Sequence, residues 1–265
     1  MSDILPIRYL DYLPLWGIFL VSVILLLVFS EIGFRIGKRW QSTEVAESSQ
    51  TGAIMGASLG LLAFMLAFSF GMAGNRFDAR KQAVLDEANA IGTTWLRSQM
   101  LPAPHASQIE ILLKRYVDLR IEGAEAESME ELREAVFEST EIHEKLWQHA
   151  VTLGKEFPRA VTLGLFIDSL NEVIDLHETR MTVARYRIPR SVWSALYFLA
   201  FAAITVVGVH AGLSGGRSWL VTVLLAMTLS MVLMLVIDID RPGQTLFSVS
   251  QQSLVDLRES MEAPS

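Results

Sequence analysis

The chain contains no cysteine, so it has neither disulfides nor thiolate metal sites. Charge is also scarce. Only 19% of its 265 residues are Asp, Glu, Lys or Arg, and these crowd into Arg76–Arg190 and the two tails. The sequence lacks His-Glu-x-x-His, Glu-x-x-His and a P-loop, short patterns that carry metal or phosphate chemistry. Its five histidines are scattered, and each is expected to be solvated or structurally satisfied. No catalytic constellation emerges, and no metal or cofactor is implied. The net charge of −7 excludes the basic surface that a nucleic-acid partner requires. No strand-like alternation, Asn-Gly turn or fixed-period repeat is visible, which points to an all-α chain.

What is abundant is apolar surface. Half of the residues (51%) are hydrophobic, more than a soluble chain of this length can hide from water. A helix needs about 20 apolar residues to cross a hydrocarbon core of about 30 Å. Four windows meet that need: Tyr12–Ser30, Ala53–Ala73, Val192–Gly212 and Trp219–Ile237. None carries a charged residue near its middle. The first is read as a retained span, because Asp3 and Asp11 precede it and Glu31-Ile32-Gly33-Phe34-Arg35 follows without a small-x-small cleavage pattern. The expected organisation is therefore two spans in 1–74, a helical domain in 75–189, two spans in 190–240 and a tail in 241–265.

Four spans place both termini and the central domain on one side of the bilayer. That side carries Arg8, Arg76, Arg80, Lys81, Arg180, Arg185, Arg187, Arg190 and Arg241 near the membrane. The other has Arg35, Lys38, Arg39 and Arg217. The excess puts termini and domain in the cytoplasm, although the Arg35/Lys38/Arg39 cluster pulls the opposite way. Trp16, Trp40, Trp193 and Trp219 stand where interfacial rings are expected.

Residues Asn75–Leu101 contain no proline, and Phe77, Val84, Ala88, Ile91 and Trp95 recur at helical spacing. Span two is thus expected to continue beyond the membrane until Pro102 and Pro104 stop it. Three further helices are read over Ser107–Ile121, over Ser128–Gly154 with a capping box at its start, and from Pro158 to about Ile188. Glu87, Asn89, Thr93 and Arg97 recur along one side of the span-two extension, as an inter-subunit polar network or an ordinary solvated face would require.

Span two is the most informative segment. Gly52, Gly56, Gly60, Ala63, Ala67, Gly71 and Gly74 recur every three or four residues and draw a ridge of small side chains that lets another backbone approach. The packing could lie within one subunit or between subunits. Phe64 and Phe68 lie beside the ridge, one turn apart. They would face lipid or a neighbouring helix, or else form an apolar neck around an oligomer axis that gates ions by dewetting. Ser58, Ser69 and Arg76 could add a polar strip leading to the exit, unless the hydroxyls bond back to their own helix. Asp238, Asp240 and Arg241 close span four before Pro242-Gly243. They read as an interfacial salt bridge and turn, or as an ion or regulatory site at a pore mouth. Asp168, Glu172 and Asp175 share one face of the last helix of the central domain, near His177 and Glu178, but without the Glu-x-x-His pairs of a two-metal site.

The run Asn75-Arg76-Phe77-Asp78-Ala79-Arg80-Lys81 resembles the stretch after the second span of bestrophins. More extensively, the chain resembles a bacterial family of bestrophin-like membrane proteins. That match runs through Arg76-Phe77-Asp78-Ala79-Arg80 with Glu87-Ala88-Asn89-Ala90-Ile91-Gly92-Thr93, through Leu170-Asn171-Glu172-Val173-Ile174-Asp175-Leu176-His177, and through Asp238-Ile239-Asp240-Arg241-Pro242-Gly243. The resemblance implies four spans with cytoplasmic termini in the bacterial inner membrane, and a ring-shaped homo-oligomer, pentameric in bestrophins, that conducts inorganic anions. Phe64 and Phe68 then map to the neck. Bestrophins also hold calcium in an acidic clasp after the last span. Asp238 and Asp240 alone are too few for a cage of six to eight oxygens. A non-conducting membrane scaffold or sensor that presents its helical domain to a soluble partner is the alternative reading of the same features.

Overall fold

A computed structural model describes residues 13–41, 48–126, 128–216, 218–241 and 248–263. Arg8, Asp3, Asp11, Tyr12, Arg217 and the Pro242-Gly243 turn lie outside them. Every regular element among the described residues is helical: α1 (Leu15–Gln41), α2 (Ser48–Ser98), α3 (His105–Glu125), α4 (Met129–Glu156), α5 (Val161–Arg185), α6 (Arg190–Leu213), α7 (Trp219–Asp240) and α8 (Gln252–Glu262). Four helical stretches, Leu15–Gln41, Gln50–Ser98, Val161–Leu213 and Trp219–Asp240, contain segments long and apolar enough to cross a membrane. The chain is an integral membrane protein with four transmembrane helices and a helical insertion between the second and third.

The sequence signals explain most boundaries. Span two does not stop at the end of its apolar window: α2 is one helix of 51 residues, about 75 Å long at 1.5 Å per residue and far longer than a bilayer core. Ser128 caps α4 by accepting the Glu131 N–H at 3.2 Å, and Pro189 precedes the first residue of α6. Beyond small shifts, such as α5 starting at Val161 rather than at Pro158, two boundaries differ most from expectation. Helix α1 runs on past Ser30 to Gln41, because the Glu31–Arg35 pair at 2.8 Å supports the extra turns and Lys38 and Arg39 face the negative end of the helix dipole. The second is α8, which forms in a segment read as a tail, with Leu254 and Met261 buried.

The chain divides into two compact units. One comprises Ile7–Arg76 and Arg187–Arg241; within it α1 packs chiefly against α6 and α7. Many of its outward residues are apolar, including Ile24, Val28, Phe198 and Leu220, as a lipid-facing surface demands. Trp16, Trp40 and Trp219 are exposed, whereas Trp193 is buried and belongs to the helix packing. The other unit is built from Phe77–Tyr186 and the chain after Arg241. Here α3 packs on α4 and α8, and α4 on α5, around a core that includes Ile91, Ile109, Leu113, Leu146, Phe166 and Leu170.

Candidate functional site

The membrane part of α2 buries one face and leaves another open. Leu62, Leu66, Ser69 and Ala73 turn inward. Phe64 and Phe68 remain 65% and 54% exposed in the single chain. The ridge beside them is equally bare: a side chain added at Gly56, Gly60, Gly71 or Gly74 would meet nothing within 4 Å, and Ala63 and Ala67 are exposed. Only Gly52 has a neighbour, the His210 ring at 3.4 Å from an added Cβ. Most of this ridge therefore serves no packing inside the subunit. Ser69, almost fully buried, points away from the Phe64/Phe68 face and bonds neither to its helix nor to any other group among the described residues, so the strip drawn through Ser58, Ser69 and Arg76 is not one surface. Arg76 is half-buried at the end of this segment.

Small-residue packing within the subunit occurs elsewhere. Gly33 and Gly37 on α1 face Gly208 and Gly212 on α6. A methyl group on Gly33 would overlap the Thr205 carbonyl, one on Gly37 the Val209 carbonyl and one on Gly208 the Ser30 carbonyl, while one on Gly212 would lie 2.5 Å from the Phe34 oxygen. The two helices touch backbone to backbone, an approach that only glycine permits. Phe29 and Phe201 stack at 4.5 Å along the same pair of helices. The Gly-x-x-x-Gly spacing present in both helices was the sequence signal for this seam.

At the end of α7 the three polar residues separate into different roles. Asp240 is buried, accepts the Ile188 N–H at 2.8 Å and pairs with Arg187 at 3.5 Å, tying α7 to the segment that leads into α6. Arg241 donates to the Leu13 carbonyl at 3.0 Å. Asp238 is also fully buried, yet neither carboxylate oxygen has a partner among the described residues. No group of three or more potential metal ligands exists among the described residues.

The other unit holds a polar cluster that sequence reading did not assemble. Glu87 is fully buried on α2, between Arg120 of α3 at 2.9 Å and Arg180 of α5 at 2.6 Å. Asn89 and Thr93 are exposed, so the four polar residues of the extension do not share a side. Tyr116 donates its hydroxyl proton to Glu87 at 2.7 Å. A phenol has one proton to give, so the 3.1 Å contact with His177 is an Nδ1–H donated to the phenol oxygen. His143 packs against both rings at 4.7 and 4.9 Å. Arg180 also donates to Gln251, just before α8, at 2.6 Å. Four of the five histidines fall into two pairs, His143 with His177 and His105 with His149, whose Nδ1 atoms are 2.9 Å apart. Sequence separation hid these pairings.

Burial alone would raise the Glu87 pKa, but the two guanidiniums and the Tyr116 hydroxyl outweigh it and hold the carboxyl down at about 2. On the imidazoles burial, helped by the nearby guanidinium charge, outweighs the opposing pull of Glu87 and lowers His143 to about 4 and His177 to about 3. Both histidines are thus neutral when folded and basic when unfolded, so their contribution is complete above about pH 6.5 and falls as pH drops toward the folded values. At pH 5 each is expected to have cost on the order of 2 kcal/mol of stability. Thermal melts of the purified protein should show the midpoint falling between pH 7.5 and pH 5, with His143→Gln losing about half of that dependence. A midpoint indifferent to pH in this window would contradict the assignment.

A family model for the Bestrophin-like domain matches residues 20–254. No curated protein matches the chain. Among solved structures, a tryptophan-to-alanine variant of a bacterial bestrophin homolog from Klebsiella pneumoniae superposes with a TM-score of 0.70 at 15% identity, over 94% of this chain and 97% of that one. An isoleucine-to-threonine variant of a Klebsiella pneumoniae homolog gives 0.67 at 15% identity, over 91% and 97%. A leucine-to-alanine variant of a membrane protein gives 0.68 at 16% identity, over 91% and 97%. At such identities the structures establish a common fold, while the family model spans most of the chain: this protein is a member of the Bestrophin-like family.

Proposed function

We propose that the protein is a homo-oligomeric ion channel of the bestrophin type, with α2 innermost and Phe64 and Phe68 forming an apolar neck. The observation that carries this reading is the open face of α2: a ridge of glycine and alanine, flanked by two aromatic rings, that the single chain leaves bare. Small residues in a membrane helix allow close helix–helix approach, and here that approach is available to a neighbouring subunit. Family membership and the bestrophin resemblance of the sequence support a ring, five-fold in bestrophins, around this face. Residues 75–189 and both termini would then lie in the cytoplasm of a bacterium with the channel in its inner membrane, as the basic-residue asymmetry favours. Anions are the proposed permeant species. Asp238 is the group available for an ion or regulatory contact at the end of α7, and Arg76 stands at the proposed cytoplasmic exit.

The test is current through purified protein in planar bilayers under a salt gradient, comparing wild type with Phe64→Ala/Phe68→Ala. Widening a hydrophobic constriction lowers its dewetting barrier, so the double variant should pass several-fold more current, and the reversal potential should report anion selectivity. Silence from both proteins, with folding confirmed by circular dichroism, would reject the channel and favour the scaffold reading, for which the exposed Phe137 and Val161 of the helical unit become the surface to examine.

A further inference from the structure

The cluster around Glu87 is not electrically balanced. One carboxylate faces two guanidiniums, and the neighbouring Tyr116, His143 and His177 are held in their neutral forms by burial. One buried positive charge is left without a counterion among the side chains that touch it. Burying an unpaired charge is costly unless something of opposite sign accompanies it.

The excess can be located. Arg180 directs Nη1 to Glu87 and Nη2 to the Gln251 amide oxygen. Arg120 brings Nε to 2.9 Å from the Glu87 carboxylate, and its two Nη groups make no hydrogen bond among the described residues. Both arginines line a recess of about 110 Å³ between α3, α4 and α5. Its remaining wall is apolar and built of small or aliphatic side chains, among them Ala124, Leu132, Ala135, Met181 and Ala184.

We propose that this recess is a binding site for a small organic anion, a short-chain monocarboxylate whose head pairs with Arg120 while its alkyl tail lies against the apolar wall. The planar guanidinium presents two parallel donors that match a carboxylate. The volume exceeds that of a halide, and the apolar lining offers a halide nothing. The occupant supplies the missing negative charge, so binding couples to the stability of α3, α4 and α5.

The experiment is isothermal titration of the full-length protein in detergent with sodium propionate at constant ionic strength and pH 7.5, repeated with sodium chloride. Saturable binding of one propionate per chain is expected, with a dissociation constant on the order of 1 mM for a ligand of so few atoms. Arg120→Gln should weaken it at least tenfold and leaves Glu87 and Arg180 as a balanced pair. Ala184→Leu fills the recess without touching a charge and should abolish binding; a thermal melt without propionate confirms that each variant is folded. No saturable propionate binding up to about 50 mM, undiminished binding in Ala184→Leu, or saturable chloride binding that propionate cannot displace would each overturn the proposal.

Discussion

Replacing Glu87 by alanine is expected to cost the helical unit about 3–5 kcal/mol, because it strands two buried guanidiniums rather than removing one contact. Glu87 is completely inaccessible, and its partners come from α3 and α5, with Gln251 before α8 reached through Arg180. One substitution thus unfastens three segments. The readout is thermal loss of helical circular dichroism together with faster proteolysis within residues 77–186. Glu138→Ala is the comparison. Arg115 holds Glu138 through two bonds of 2.9 Å, a good geometry, yet both side chains are more than a third exposed. Solvent screens such pairs, and the loss there should stay below about 1 kcal/mol. Equal effects at the two sites would mean that Glu87 is not the keystone its burial implies.

Gly208→Leu is expected to abolish the folded membrane unit. The atoms in the way are backbone atoms of α1, the Ser30 carbonyl and the Phe34 nitrogen, which cannot swing aside as a flexible side chain would. The helices must part, and the close contacts along Gly33, Gly37 and Gly212 are lost together. Even Gly208→Ala should exceed the 1–3 kcal/mol usual for an overpacked core. Recovery of protein after detergent extraction and size-exclusion chromatography measures this directly. Gly60→Ala reads the contrast: nothing within the chain stands within 4 Å of that position, so the subunit should fold normally and only its assembly into an oligomer should weaken. If Gly208→Ala is recovered as well as Gly60→Ala, the seam is not tight.

Much of this architecture was legible from residue order alone. The four spans follow from length and hydropathy, and the continuation of α2 follows from the missing proline and the stripe Val84, Ala88, Ile91. Ser128 and Pro189 marked helix starts correctly because caps are local. What stayed hidden was pairing over distance. Gly33 and Gly208 each sit in an ordinary Gly-x-x-x-Gly pattern, and nothing local says that the two face each other. Glu87 looked like part of a solvated face beside Asn89, because its partners Tyr116, Arg120 and Arg180 lie 29 to 93 positions away. In α8, Leu254, Leu257 and Met261 do carry helical spacing, but eleven residues are too few to announce a helix that depends on docking against α3. The α2 ridge was readable as a packing surface, although only the folded chain reveals that its own helices leave it uncovered.

The glycine seam also bears on how the protein is made. Gly208 leaves the ribosome roughly 175 residues after Gly33, a delay of about 10–35 s at common elongation rates. Throughout that interval α1 is in the bilayer with its groove filled only by lipid tails, since the one helix shaped to fit it has not been synthesised. Assembly of the membrane unit must therefore await completion of the intervening helices α3, α4 and α5. A nascent chain truncated anywhere before α6 carries a first span that nothing can match, and quality-control proteases that survey unpaired membrane helices would find it in that state.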